Sequence, residues 1–339
     1  MPTNMNDFVL ELHKVISQDK SIGIFPHARV DGDCVGSAVA LCAALRKNHL
    51  NAYVYLEEAI PPRLAFMQVH EEEIIVVNPT VIDDYVQKIG LAIAVDCSDA
   101  SRMGTAGSIF EKAPEHVVID HHASSMSTGK LFYVDPDSAS TAELIYQFIC
   151  DFELVSGKML MDAYIANNLM VGIQSDTGRF SYQNTTAGTL RIAADLMDAG
   201  ANVCENAYYL FDVTNAGRVL LHGAAMSAMK LFAHGRIAIT TIPLSLVDKT
   251  NAPEGAADGL VTTLRDIEGV NVAFVLRETE DGSIRVNVRS NDGFDASGFA
   301  ELYGGGGHHR AAGFNGNNIS MEDFYQDIVA KATAVLENK

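Results

Sequence analysis

The chain lacks any apolar stretch approaching the ~18 unbroken residues that a membrane-crossing helix needs, so no membrane partner is expected. It also lacks a basic segment at its N-terminus. Residues 1–17 read instead as an amphipathic helix with Phe8, Leu12, Val15 and Ile16 on one face, and the expected location is cytoplasmic. Cysteine is scarce: Cys34, Cys42, Cys97, Cys150 and Cys204 are odd in number, widely spaced and without a CxxC pair. That argues against a disulfide framework and against structural zinc, and leaves the thiols as small packing residues. Positive charge is scarce too. With 24 Lys and Arg against 43 Asp and Glu, the formal charge of −19 opposes binding to duplex nucleic acid, where affinity comes from neutralising phosphates. An anionic substrate should be small and captured locally.

What is present is enough chain for two cores, since 339 residues exceed what one core usually supports. Apolar runs at Ser21–Phe25, Asn51–Tyr55, Glu73–Val77, Leu91–Val95 and Val117–Ile119 read as buried strands, with Val35–Lys47, Val81–Lys88 and Ser140–Cys150 as intervening helices. Such alternation implies a parallel sheet covered on both faces. From Ala163 to Leu231 the pattern is helical, without a comparable strand. Strands return at Arg236–Ile242, Asn271–Thr279 and Ser283–Ser290, the last alternating Ile284, Val286 and Val288 against Arg285, Asn287 and Arg289. The expected fold class is therefore α/β: a parallel-sheet domain over residues 1–188, a helical connector over 189–232, and a smaller mixed α/β domain over 233–339.

Acidic clusters recur where the first domain's strands end, which is where a doubly wound sheet binds ligands. His27 to Asp33 follows the first strand, and Gly32 between Asp31 and Asp33 permits a tight bend that would turn both carboxylates to one cavity. Asp96-Cys97-Ser98-Asp99 follows the fourth, and Asp120-His121-His122 the fifth. Ser175-Asp176-Thr177-Gly178 comes after an apolar helix pattern. A single Asp in such a place is ordinarily a turn former or helix cap. Repeated clusters of Asp and His brought to one place would repel without cations between them, so the group points to a two-metal site. Mixed carboxylate and imidazole ligands suit manganese, with magnesium or iron as alternatives, better than a thiolate-binding metal. Ser140-Thr141-Ala142-Glu143 reads as a capping box.

In order and spacing these clusters resemble the four motifs of the DHH phosphoesterase superfamily, and Gly304 to Phe314 resembles the GGGHxxAAG signature of its associated substrate-binding domain. The likeness spans essentially the whole chain and is greatest to the compact oligoribonuclease (nanoRNase) and phosphoadenosine phosphatase group. The resemblance implies that His27, Asp31 and Asp96 hold one metal, that Asp33, Asp96, His121 and Asp176 hold the second, and that Asp96 bridges. It further implies that His122 contacts the scissile phosphate or transfers a proton, while Asp120 orients the imidazoles. Arg102, just past Asp99, suits a phosphate contact and a surface ion pair equally.

In the second domain, the glycine run including Gly305, Gly306 and Gly307 is expected to form an anion nest beside His308, with Arg289 and Ser290 supplying donors. Together these readings predict a phosphohydrolase with two Mn²⁺ (or Mg²⁺) ions, acting on short single-stranded oligonucleotides or small phosphorylated nucleotides, including 3′-phosphoadenosine 5′-phosphate (PAP). The rivals are pApA or c-di-AMP hydrolysis, polyphosphate hydrolysis, and a nucleotide-binding regulator without catalysis. The sequence leaves the oligomeric state open, a homodimer included.

Overall fold

The computed structural model describes residues 4–16, 19–123 and 131–337. The chain divides into two compact units, with the division after Val213. In the first, the elements run α1 (Met5–Val15), β1 (Ser21–Phe25), α2 (Gly32–Lys47), β2 (Ala52–Leu56), β3 (Ile74–Val76), α3 (Ile82–Lys88), β4 (Ile89–Val95), α4 (Ala106–Lys112), β5 (Glu115–Asp120), β6 (Leu131–Val134), α5 (Thr141–Ser156), α6 (Ala163–Thr177), α7 (Ala187–Asp198) and α8 (Val203–Ala207).

All six strands pair in parallel in the order β3-β2-β1-β4-β5-β6. Chain order reverses between β1 and β4, so the crevice beyond their C-terminal ends is the topological switch point. One face of the sheet packs Ile22, Ile24, Ile93 and Ile119 against α1, α2, α5 and α6, and the other packs Phe25, Ala94 and Val118 against α4. Burial on both sides is why these strands read as unbroken apolar runs. The N-terminal helix is present, capped by Asn4, whose side chain accepts from the Asp7 N–H, and it buries Phe8 and Leu12 as expected. Val15 is exposed, and Met5 and Val9 complete the buried face in its place.

The second unit runs α9 (Ala216–Ser227), β7 (Lys230–Phe232), β8 (Ile237–Ile242), α10 (Leu244–Thr250), α11 (Leu260–Arg265), β9 (Val272–Glu278), β10 (Ile284–Ser290), α12 (Ala296–Glu301), β11 (Gly306–His308), β12 (Ala311–Gly316) and α13 (Met321–Glu337). Its sheet has the order β11-β12-β10-β9-β8-β7 and is mixed, β8 and β9 being the parallel pair. Three of these strands, β7, β11 and β12, depart from the sequence reading. β7 lies inside the segment read as wholly helical, and Gly306–His308 is an edge strand paired with Ala311–Gly313 where an open anion nest was expected. Gly307, at φ +151, could not carry a side chain there, because a Cβ would sit 2.4 Å from the Ala311 carbonyl oxygen.

The alternation along β10 sorts its two faces. Ile284, Val286 and Val288 join Phe274, Leu276 and residues of α13 in one core. On the opposite face, α9 and α11 cover β8 and β9 through Leu221, Ala225, Leu260 and Leu264. Arg285 and Asn287, on that same face of β10, remain exposed.

Candidate metal centre and substrate face

At the switch point, His27 follows β1 and Asp96 follows β4, and His27 Nε2 lies 3.4 Å from Asp96 Oδ2. Asp96 adopts φ +60, a left-handed conformation that Asp tolerates better than most residues. It is buried, and its Oδ1 stands 3.7 Å from both His121 Nε2 and His122 Nδ1. His121 Nε2 in turn lies 3.3 Å from Asp176 Oδ2, at the last turn of α6. Asp31 divides its two oxygens. Oδ1 caps α2 by accepting from the Cys34 N–H at 3.0 Å, and Oδ2 is 3.8 Å from His27 Nε2. The helix therefore begins at Gly32, replacing the tight bend read from the sequence, and Asp33 lies within its first turn.

Asp33 is fully buried and meets the N-terminus of α5. Its Oδ2 accepts from the Thr141 N–H at 2.7 Å, and its Oδ1 accepts from the Ala142 N–H at 2.9 Å and from Ser37 Oγ at 3.1 Å. Free N–H groups at a helix start favour a carboxylate. Gly172 of α6 clears the space, since a Cβ there would lie 2.7 Å from Asp33 Oδ1.

Electrostatics oppose this gathering of acids. Burial first, then Asp96, Asp176 and Asp31, raise the Asp33 pKa well above the ordinary carboxylate range, and burial and neighbouring carboxylates raise that of Asp176. Burial acts to lower the His121 pKa, but Asp176 and Asp96 outweigh it and lift the imidazole to about 9. His122 is raised chiefly by Asp120, whose buried Oδ1 accepts from the His122 backbone N–H at 3.0 Å and lies 2.7 Å from its Nδ1. Asp120 thus orients His122. His121 is set differently, with Nδ1 3.3 Å from the Ser138 carbonyl oxygen.

A cavity of about 550 Å³ opens over the cluster, lined among others by His27, Arg29, Asp96, Arg102, His122 and Asp176. Cys34 and Cys97 are buried behind it. Burial, with the nearby carboxylates, raises both thiol pKa values, which keeps them protonated as packing groups.

In the second unit, the strand ladders align the expected substrate residues. Arg289 pairs with Ala311, and Ala311 with His308, so all three occupy one row and one face. His308 is exposed, and Arg289 is half-buried with a guanidinium N–H on the Val288 carbonyl. Ser290 has no exposed surface, and its hydroxyl meets the His309 carbonyl. It supports the turn into β12.

Two family descriptions match the chain: the DHH family N-terminal domain over residues 21–173, and the DHHA1 domain over residues 234–338. A bifunctional oligoribonuclease and PAP phosphatase NrnA from Thermus thermophilus is 30% identical over 313 residues, covering 91% of this chain and 88% of that protein. The chain belongs to the DHH family. The same-named protein of Bacillus subtilis is 29% identical, covering 89% and 91% of the two chains. Among solved structures, an exopolyphosphatase-related protein from Bacteroides fragilis matches this DHH chain with a TM-score of 0.82 at 22% identity, over 97% of each chain. That likeness shows a shared fold.

The DHH cluster of this chain fits divalent cations. His121 Nε2 is buried between Asp176 Oδ2 and Asp96 Oδ1, at 3.3 and 3.7 Å, without the geometry of a hydrogen bond to either, and the surrounding donors are imidazole nitrogens and carboxylate oxygens, the carboxylates raising one another's pKa. Sequence reasoning missed Thr141, whose hydroxyl donates to Asp96 Oδ1 at 2.8 Å. The signal was the capping sequence itself, which marked a helix N-terminus with N–H groups to fill. Ser140 does cap α5 by accepting from the Glu143 N–H, but Glu143 turns to Ser138 Oγ and the Ala139 N–H, so the reciprocal box is incomplete.

Proposed function

We propose that the protein is a phosphohydrolase, dependent on two Mn²⁺ ions, that degrades very short single-stranded oligonucleotides from an end to mononucleotides and removes the 3′-phosphate of PAP. The carrying observation is the meeting of His27, His121 and His122 on the two oxygens of buried Asp96. Both named relatives, each matched over most of its length, are oligoribonuclease and PAP phosphatase proteins. In this reading His27, Asp31 and Asp96 hold one ion, and Asp33, Asp96, His121 and Asp176 hold the other. Bound there, the pair would polarise a phosphoryl group and supply a water of lowered pKa.

The protein's own groups do the rest. Arg29 and Arg102 line the cavity and hold the scissile phosphate's outer oxygens. Asp120 holds a proton on His122 Nδ1 and raises the imidazole's pKa, so that the doubly protonated ring carries a second proton on Nε2 for the departing oxygen. Arg289 and His308, with the Gly305 to Gly307 backbone, hold a terminal phosphate of the substrate. The acidic surface disfavours duplex nucleic acid.

The test is a comparison of a labelled trinucleotide, PAP, pApA, c-di-AMP and inorganic polyphosphate, each with Mn²⁺ and with Mg²⁺. Sequential release of mononucleotides from the trinucleotide, together with AMP from PAP, is expected. Greatest activity on polyphosphate overturns the reading, and tight nucleotide binding without turnover replaces it with a regulator.

A further inference from the structure

Arg285 stands directly opposite Arg277 in the β9–β10 ladder. Directly opposed residues of an antiparallel pair share a face, and like charges placed so are destabilising. The ion-paired arginines among the described residues are Arg179, Arg265 and Arg310, and neither Arg277 nor Arg285 is one of them. In a chain with 43 acidic residues against 24 basic ones, this is a positive spot held without internal compensation.

The spot adjoins a built cavity. A space of about 330 Å³ is lined by Arg285, Asn287, Asn315, Gly304, Gly305 and other residues of the β12 edge. Asn315 pairs with Arg285 across the β10–β12 ladder, and Asn287 pairs with Gly313. Two carboxamides and a guanidinium are therefore brought to one face, beside a strand whose Gly313 presents only backbone. Carboxamides carry both donors and acceptors, as the edge of a nucleobase requires, and a guanidinium forks onto phosphate. The volume falls within the range of small-ligand pockets. Along β10, Arg285 is four residues from Arg289, roughly 13–14 Å at the rise of a strand. That separation exceeds one phosphate-to-phosphate step and lies within the length of a trinucleotide, which leaves the base of the intervening nucleotide between the two arginines.

We infer that this cavity is a second nucleotide subsite: Arg285, flanked by Arg277, takes a backbone phosphate, and Asn287 and Asn315 take the base edge of the nucleotide next to the one at Arg289 and His308. The inference rests on the oligonucleotide reading above and assigns to the second unit a preference for chains over mononucleotides.

Equilibrium binding of end-labelled tri-adenylate, in EDTA so that nothing is cleaved, tests it against binding of AMP. Wild-type protein should bind tri-adenylate more tightly than AMP. Arg285→Ala should weaken tri-adenylate roughly tenfold and AMP less than twofold, and should lower the salt dependence of tri-adenylate binding by about 0.7 in log–log slope. Should Arg285→Ala fold poorly, Asn315→Ala, which keeps both arginines, must show the same selective loss. Equal loss for both ligands, no loss for either, or no wild-type preference for the trinucleotide overturns the subsite. Because the readout is binding, it is separate from the turnover assay: an enzyme inert toward every nucleotide would sink the proposed activity and leave this measurement to stand by itself.

Discussion

Thr141 donates its hydroxyl to Asp96 Oδ1 at 2.8 Å while its backbone N–H is bound by Asp33 Oδ2 at 2.7 Å. One residue at the start of α5 therefore sets two of the carboxylates around which the imidazoles gather. Outer partners of metal ligands typically change affinity or activity 10–100-fold. Thr141→Val, which keeps the shape and removes the hydroxyl, is expected to lose about tenfold in apparent Mn²⁺ affinity, and Thr141→Ser to restore most of it. Activity titrated against metal concentration checks this. Asp96→Ala is the limiting case, with turnover abolished and bound metal reduced at both positions; full activity in that variant would end the bridging assignment.

Gly172 leaves room for Asp33, and the approach is tight from two sides, with a Cβ meeting both Asp33 Oδ1 and the Ala142 Cβ at 2.7 Å. Gly172→Ala is expected to destabilise the first unit by about 1–3 kcal/mol through overpacking, despite alanine's better helix propensity. It should also reduce metal content by displacing Asp33. Urea unfolding and metal analysis read the two effects. Increased stability with unchanged metal binding would show that α2 and α6 yield easily at this point.

Arg289 shares a row with His308, away from the acid cluster in sequence and in its own unit. Arg289→Ala should raise KM for PAP about tenfold or more while kcat changes little, because the lost contact is a charge-assisted hydrogen bond to a part of the substrate that does not react. Steady-state kinetics decide. A loss confined to kcat would move Arg289 from binding to chemistry.

The pH dependence of the chelator-treated protein has a defined sign. The folded pKa of His121 is lifted from 6.5 to about 9, and those of Asp33 and Asp176 are raised from 3.8. A group whose folded pKa exceeds its unfolded one stabilises the fold while protonated and loses that contribution as pH rises through the folded value. For His121 the contribution is complete below pH 6.5 and gone above about 9. Melting temperatures in EDTA should therefore fall between these limits, whereas saturating Mn²⁺, which competes with the protons for the same atoms, should flatten or reverse the trend. A Tm that rises with pH in EDTA would contradict the electrostatic account.

Much of the molecule is legible in the sequence, and the exceptions have local causes. Ser21–Phe25 is legible to the residue because five consecutive buried positions leave no competing pattern. Leu131–Val134 escaped because the strand is four residues long and only half-buried on both faces. Ala311–Gly316 escaped for a different reason. Alanine, glycine and asparagine carry little strand preference, so that strand exists through its ladder with β10. In the sequence Ser290 reads as a ligand contact beside Arg289, but alternation along a strand puts adjacent residues on opposite faces.

By itself, the sequence determined the α/β class, the apolar runs that become the core, and which acids and imidazoles follow which strand, because periodicity and turn chemistry act over a few residues. Only the tertiary structure decided that β1 lies beside β4, that Asp33 meets the N-terminus of α5, and that Thr141 supports Asp96. Those outcomes depend on pairing between segments as much as a hundred residues apart, where strand adjacency and helix packing select among arrangements that the local pattern leaves equal.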